Sequence, residues 1–310
     1  MRYYSRRTFL AASVSSVAAV ACGGSAGAGQ QRAQVVPGLA RDEPEATPPA
    51  PATPTFAPTP TSTPMPKGSE QRTLLAGTAS ETRMVIRHSG VSGPAVMILG
   101  GVHGNEPGGW LAADEVATWE PAIGSLIVVP RSNAQAIASF VRTFDEIGDL
   151  NRLYPGRPDS PLLMEQLAWS FLETCREFHV ELLLDMHESW AFYAEYPPNS
   201  GTGALGQTIT AGPGAKQADF AQQIAEIVNP QASPREQFIV RDGTRLGATT
   251  ATPALGQASR GRSSLAAGAA VPGLTPILVE MGQEDQPLDR RIQLHLITAR
   301  AVLQLGGLIS

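Results

Sequence analysis

Two of the five histidines stand directly behind short aliphatic runs, each with a carboxylate within three positions. The first lies in Gly100-Gly101-Val102-His103-Gly104-Asn105-Glu106-Pro107 and the second in Leu184-Asp185-Met186-His187. His103 and Glu106 are three apart on a glycine-loosened turn, and Pro107 suits the first position of a helix. Such a pair can aim both heads at one point, as two ligands of a tetrahedral zinc require. Alternation along a strand puts Asp185 on the side of His187, where its carboxylate can orient the imidazole from behind. A catalytic zinc takes three protein ligands and keeps an open position for water, and His103, Glu106 and His187 supply a His2Glu set. That water needs a base. Glu280, in Ile277-Leu278-Val279-Glu280-Met281, is a carboxylate at the end of another apolar run and is costly to bury unless paired or used. Each signal has a plainer alternative. A His-x-x-Glu spacing arises by chance, a strand-end histidine often only hydrogen-bonds, and Glu280 can serve in a structural ion pair with an arginine. The joint placement at the ends of separate strands favours chemistry.

The elements that must position these residues follow from the apolar pattern. Short aliphatic runs fall at 84–87, 96–99, 126–129, 182–184 and 277–279. Four of them are nearly continuous, as in strands covered on both faces. Helix-like stretches lie between them at 108–118, 161–179, 216–228 and 287–305; in the last, Ile292, Leu296, Ala299 and Leu303 recur at helical spacing. This alternation predicts a three-layer α/β/α domain with a mixed, mostly parallel sheet, whose chemistry sits beyond the carboxyl ends of the strands. The stretches 199–213 and 243–276 are rich in Gly, Ala, Ser and Thr and read as long loops. Cys175, on the helix expected at 161–179, reads as core packing.

The 310 residues carry 23 Lys+Arg against 28 Asp+Glu, a net charge of -5 that excludes the basic face nucleic acid requires. Two cysteines exclude a disulfide scaffold. Nine of the 26 prolines fall between Pro44 and Pro66, interleaved with six threonines, which predicts an extended tether. Upstream, Ser5-Arg6-Arg7-Thr8-Phe9-Leu10 resembles a twin-arginine export signal, and the apolar run after it is too short to span a membrane. Ala19-Val20-Ala21-Cys22 resembles a bacterial lipobox with Cys22 as the lipidated residue; the alternative is an ordinary cleaved signal with an incidental cysteine. The expected organisation is a signal at 1–22, a tether at 23–71 and a catalytic domain at 72–310. The domain is expected to be exported and lipid-anchored at the extracytoplasmic face of a bacterial membrane.

Four motifs in order, Gly-Gly-Val-His103-Gly-Asn-Glu106, Asp149-Leu-Asn151-Arg152-Leu-Tyr-Pro-Gly, Leu-Asp185-Met-His187 and Ile-Leu-Val-Glu280-Met-Gly, resemble the zinc carboxypeptidase superfamily. The nearer likeness is to its succinylglutamate desuccinylase/aspartoacylase branch, over roughly residues 84–305. The resemblance implies one Zn2+ per chain held by His103, Glu106 and His187, with Glu280 as general base and then proton donor. It implies further that Asn151 and Arg152 hold a free carboxylate of the substrate and that Arg142 polarises the scissile carbonyl. A guanidinium suits a bidentate grip on a carboxylate, although Arg152 read alone is a surface ion-pair residue.

Two departures bear on the substrate. Thirty residues follow Glu280 in the sequence, so the C-terminal β-rich domain of aspartoacylase-type enzymes is not expected here. The chain also carries export signals. The expected substrate is therefore larger and extracytoplasmic: a peptide, a cell-wall stem peptide or an N-acylated amino acid with a free carboxylate. Trp190, Phe192, Tyr193 and Tyr196 can form an apolar pocket wall or simply pack a loop. The expected activity is hydrolysis of an amide bond. The rival is a lipid-anchored binding module of the same fold that captures a carboxylated ligand without turnover.

Overall fold

The structure is a computed structural model, and it describes residues 66–196, 203–241 and 262–310. The export signal, Cys22 and nearly all of the proline-rich tether lie outside the described residues.

An eight-stranded sheet organises the chain. Its strands are β1 (Lys67–Leu74), β2 (Thr82–Ser89), β3 (Ala95–Gly100), β4 (Ser125–Val129), β5 (Val180–Ser189), β6 (Thr208–Ala211), β7 (Ile239–Arg241) and β8 (Thr275–Gly282). They lie in the order β1-β2-β4-β3-β5-β8-β6-β7. The central four, β4, β3, β5 and β8, are mutually parallel, while β2 joins β4 and β6 joins β8 antiparallel. Four of the five aliphatic runs of the sequence lie in these buried central strands, and the fifth, 84–87, lies in β2.

Helices α1 (Pro107–Val116), α4 (Ala215–Val228) and α6 (Leu288–Leu305) cover one face. There Ala112, Val116, Ile224, Leu294 and Val302 pack on Val96, Ile98, Leu184 and Val279. Helix α3 (Leu163–Glu177) covers the other, with Leu167 and Phe171 against Met97, Leu99, Ile127 and Leu183. Cys175 belongs to this second core, its Sγ 3.7 Å from Met97 Sδ, and burial pushes its thiol up to about 12. The expected three-layer α/β/α architecture is the observed one. Two short helices, α2 (Ala134–Ser139) and α5 (Ala267–Ala270), sit in the connections.

The sheet extends beyond the sequence reading at three places. Its first strand begins at Lys67, ahead of the boundary expected at residue 72. This strand is polar and mostly exposed, so no apolar pattern marks it; its pairing with β2 and a bidentate bond from Arg72 to Glu177 (2.6 and 2.8 Å) hold it. The stretch expected as a loop at 199–213 contains β6, four buried residues that draw their order from pairing with β8. β7, three residues long, pairs parallel with β6. The second expected loop, 243–276, includes a 3-10 turn at Ser264–Ala266 and then α5; residues 243–261 lie outside the described residues.

Candidate metal centre

His103 lies in the turn that carries the chain from β3 into α1, and Glu106 is the residue at the N-cap of that helix. The turn is tight because glycine permits close approach. A Cβ on Gly104 would lie 2.1 Å from the carbonyl carbon of Ala136, and the Gly104 N–H donates to the carbonyl of Arg142 (3.2 Å). His187 and Asp185 lie on one side of β5, and Glu280 on β8 stands directly opposite His187 in the parallel ladder. All five of these side chains are buried.

The Glu106 carboxylate sits between the two imidazoles. Its Oε1 is 2.6 Å from His103 Nδ1 and its Oε2 is 2.9 Å from His187 Nδ1, while Oε2 also accepts the Glu188 N–H (3.0 Å). One ligand atom from each of His103, Glu106 and His187 lies within 4.8 Å of the other two. Each ring has a second carboxylate behind it: His103 Nε2 is 3.1 Å from Asp149 Oδ1, and His187 Nε2 is 3.0 Å from Asp185 Oδ2. An imidazole with carboxylates at both nitrogens must carry two protons or give one nitrogen to a cation. A divalent ion held by His103, Glu106 and His187 would meet that demand for both rings at once. Two imidazoles and one carboxylate, with outer carboxylates orienting the rings, is a donor set that fits zinc.

The electrostatics agree. Burial alone would raise the Glu106 carboxyl, but the two imidazoles outweigh it and hold that group well below the usual carboxylate range. Burial would lower His187, yet Asp185 and Glu106 push it well up. Asp149 is likewise held low against its burial, by His103 and then Arg142. Glu280 goes the other way. Burial, its largest influence, brings it to about 7, and no ion pair involving Glu280 is found among the described residues. The structural ion pair that was the plainer reading of Glu280 is thus not seen.

A cleft of about 180 Å3 opens above this cluster, and His103, Glu106, Glu280, Arg142, Asn151 and Arg152 all line it. The structure therefore brings together every residue expected at the site other than Asp185, which lies behind His187, and Cys22, which lies outside the described residues. Arg142 donates to Asp149 Oδ2 (3.0 Å) and approaches Glu106 Oε1 to 3.8 Å. Asn151 and Arg152 form the 3-10 turn Leu150–Arg152, capped by Asp149. Arg152 makes no ion pair among the described residues; its Nη1 donates to the Asn151 carbonyl (2.7 Å), which leaves the other guanidinium nitrogens to a ligand, and the plainer reading as a surface pair is not observed. Of the two readings of the aromatic residues after His187, loop packing is the observed one: none of Trp190, Phe192, Tyr193 and Tyr196 lines the cleft. Phe192 is buried against Gly282, and Trp190 points its indole to solvent.

Three contributors escaped the sequence reading. Asp149 was visible only as part of a motif, and its hold on His103 spans 46 positions. Glu188 lines the cleft beside the ligands, and Arg241, at the end of β7, lines its far side. Nothing local marks either of them.

The sequence profile of the succinylglutamate desuccinylase/aspartoacylase catalytic domain matches residues 92–193, a segment containing His103, Glu106, Arg142, Asn151, Arg152 and His187. No curated protein matches the sequence. Among solved structures, product-bound Cell Shape Determinant protein Csd4 from Helicobacter pylori superposes with a TM-score of 0.60 at 19% identity, covering 73% of this chain and 55% of that one. The mDAP-bound form of Helicobacter pylori Csd4, described as a D,L-carboxypeptidase, gives 0.56 at 20% identity over 70% of this chain and 51% of that one. A succinylglutamate desuccinylase from Silicibacter sp. TM1040 gives 0.56 at 19% identity, covering 79% and 69%. At these identities the likeness is one of fold, and the chain spans about half the length of the Csd4 structures.

Proposed function

We propose that this chain, whose residues 92–193 carry the succinylglutamate desuccinylase/aspartoacylase signature, is a zinc-dependent hydrolase that cleaves an amide bond in a substrate bearing a free carboxylate. One observation carries the reading: a buried His2Glu set with an unpaired carboxylate, Glu280, opposite His187 on the neighbouring strand. A zinc ion bound there supplies a Lewis acid for the scissile carbonyl and makes water a better acid. The chain supplies the rest. Glu280, brought to about 7 by burial, is poised to accept a proton near neutral pH and return it to the leaving amine. Arg152 and Asn151, in one turn at the wall of the cleft, offer a planar donor fork and an amide to the substrate carboxylate. Arg142, held by Asp149, is directed toward the metal side of the cleft, where charge develops on the carbonyl oxygen.

The substrates we favour are peptides, cell-wall stem peptides and N-acyl amino acids, in line with the peptide-bound and mDAP-bound neighbours. Zinc content and hydrolysis across that panel test the reading. His103→Ala should abolish stoichiometric zinc; Glu280→Gln should keep zinc and lose turnover by at least about 100-fold. Full turnover in the Glu280→Gln protein would overturn the mechanism. A ligand bound in a zinc-dependent way and recovered intact from the wild type would favour the binding-module alternative.

We also propose export and lipid anchoring through Cys22, on the strength of the motifs alone. Among the described residues no helix is long and apolar enough to cross a membrane. Partition of the Cys22→Ser protein from a detergent phase into water, with the wild type staying in detergent, tests the anchor.

A further inference from the structure

We infer that Glu188 is a positioning residue that ties the loop bearing Glu106 to the loop following Glu280, fixing the spacing of metal ligand and base. The inference rests on the reading of the site as a zinc hydrolase. Glu188 directly follows His187 on β5 at the edge of the cleft, and its carboxylate packs against α1 and α6. The carboxylate is fully buried, and its Oε2 accepts from Arg291 Nη1 on α6 (2.6 Å) and from Gln283 Nε2 (3.0 Å). The same Gln283 amide donates to the carbonyl of Asn105 (3.0 Å), the residue before Glu106. Gln283 stands three positions after Glu280, and its backbone N–H is bound to the Ser189 carbonyl (2.9 Å). Glu188 Oε1 presses on the first turn of α1, where a Cβ on Gly108 would lie 2.2 Å from it. The Glu188 N–H itself binds Glu106 Oε2.

One side chain thereby joins three segments, and two of them carry site residues: 105–108 with Glu106, and 280–283 with Glu280. A buried ion pair is a weak source of stability, since well-packed apolar side chains usually do as well. Its distinctive contribution is geometric. A carboxylate accepts along fixed directions, so Arg291 and Gln283 must hold one arrangement around Oε2, while Oε1 fixes the start of α1 by close packing alone. Metal sites depend on such outer support, whose loss typically weakens binding about 10- to 100-fold.

The test compares Glu188→Gln and Gln283→Ala with Arg290→Gln, which breaks a separate ion pair on the same helix, to Glu236 at 2.8 Å. Zinc affinity is measured by chelator competition, melting temperature with and without zinc, and kcat and KM at saturating zinc. Glu188→Gln and Gln283→Ala should each weaken zinc binding about tenfold and lower kcat more than they raise KM, whereas Arg290→Gln should lower only the melting temperature. The inference is overturned if both site variants melt lower yet bind zinc and turn over as the wild type does. Should Glu188→Gln not fold, Gln283→Ala decides alone. Failure of the underlying reading is separable, because then the wild type itself would take up no zinc.

Discussion

Asp149→Asn isolates the outer support of a metal ligand with little disturbance of the fold. Asp149 Oδ1 accepts from the Asn151 N–H (3.0 Å) and faces His103 Nε2 (3.1 Å), while Oδ2 receives Arg142 (3.0 and 3.2 Å). An asparagine keeps one oxygen, enough to cap the 3-10 turn, and its amide cannot accept from the arginine. The Arg142 contact is 42% exposed on the arginine side, so its loss costs at most about 1 kcal/mol of stability. His103 Nε2 then faces a neutral amide oxygen in place of a carboxylate, a weaker acceptor that holds the ring and its Nδ1 less firmly. Loss of such a partner weakens metal binding about 10- to 100-fold, or about 1.4–2.7 kcal/mol. A chelator-competition titration of zinc affinity, run beside chemical denaturation of the chelator-treated protein, reads the two effects separately. The expected result is a zinc dissociation constant at least about tenfold higher with folding stability within about 1 kcal/mol of the wild type. An unchanged zinc affinity in a folded variant would refute the placement of Asp149 behind a metal ligand.

Two further perturbations read other parts of the structure. Gly104→Ala should destabilise the domain by about 1–3 kcal/mol, because the new methyl meets the Ala136 backbone and has nowhere to go; a denaturation midpoint equal to the wild type's would contradict that close approach. His295 on α6 is completely buried, with neither ring nitrogen partnered among the described residues, and burial lowers it to about 3. The unfolded chain, with an ordinary histidine near pH 6.5, therefore binds the proton first. The resulting stabilisation is complete above about pH 6.5 and is lost as pH falls from there toward 3, by up to about 1.4 kcal/mol per pH unit. His295→Leu should flatten this dependence between pH 7.5 and 5.5, and equal slopes for the two proteins would rule out His295 as its source.

The candidate site was legible because its information is local. A histidine that ends an apolar run, and a glutamate three residues further on before a proline, reveal both the strand and the turn, and His103, Glu106, His187, Asp185 and Glu280 come together in the structure for that reason. The edges of the sheet were not legible. β1 is a polar strand exposed along most of its length, and β6 is four residues among glycines and threonines, so both draw order from their neighbours. Contacts that link distant segments were hidden for a related reason. The bond between Asp149 and His103, and the meeting of Glu188 with Gln283 and Arg291, join positions that no pattern relates until the sheet has formed. The aromatic cluster after His187 could not be resolved from the sequence because proximity in the chain does not fix direction: Phe192 turns into the core while Trp190 turns out.

His187 and Glu280 share one rung of the β5–β8 ladder, and neighbouring strands in any sheet lie about 4.8 Å apart. The separation of His187 and Glu280 is thus a lattice constant of the sheet, insensitive to what the surrounding connections do. Evolution or a protein engineer can therefore treat the segments that rise from the strand ends as interchangeable cassettes. Exchanging Ser263 and Leu265, which line the cleft ahead of β8, would reshape its wall while leaving His187 and Glu280 in register.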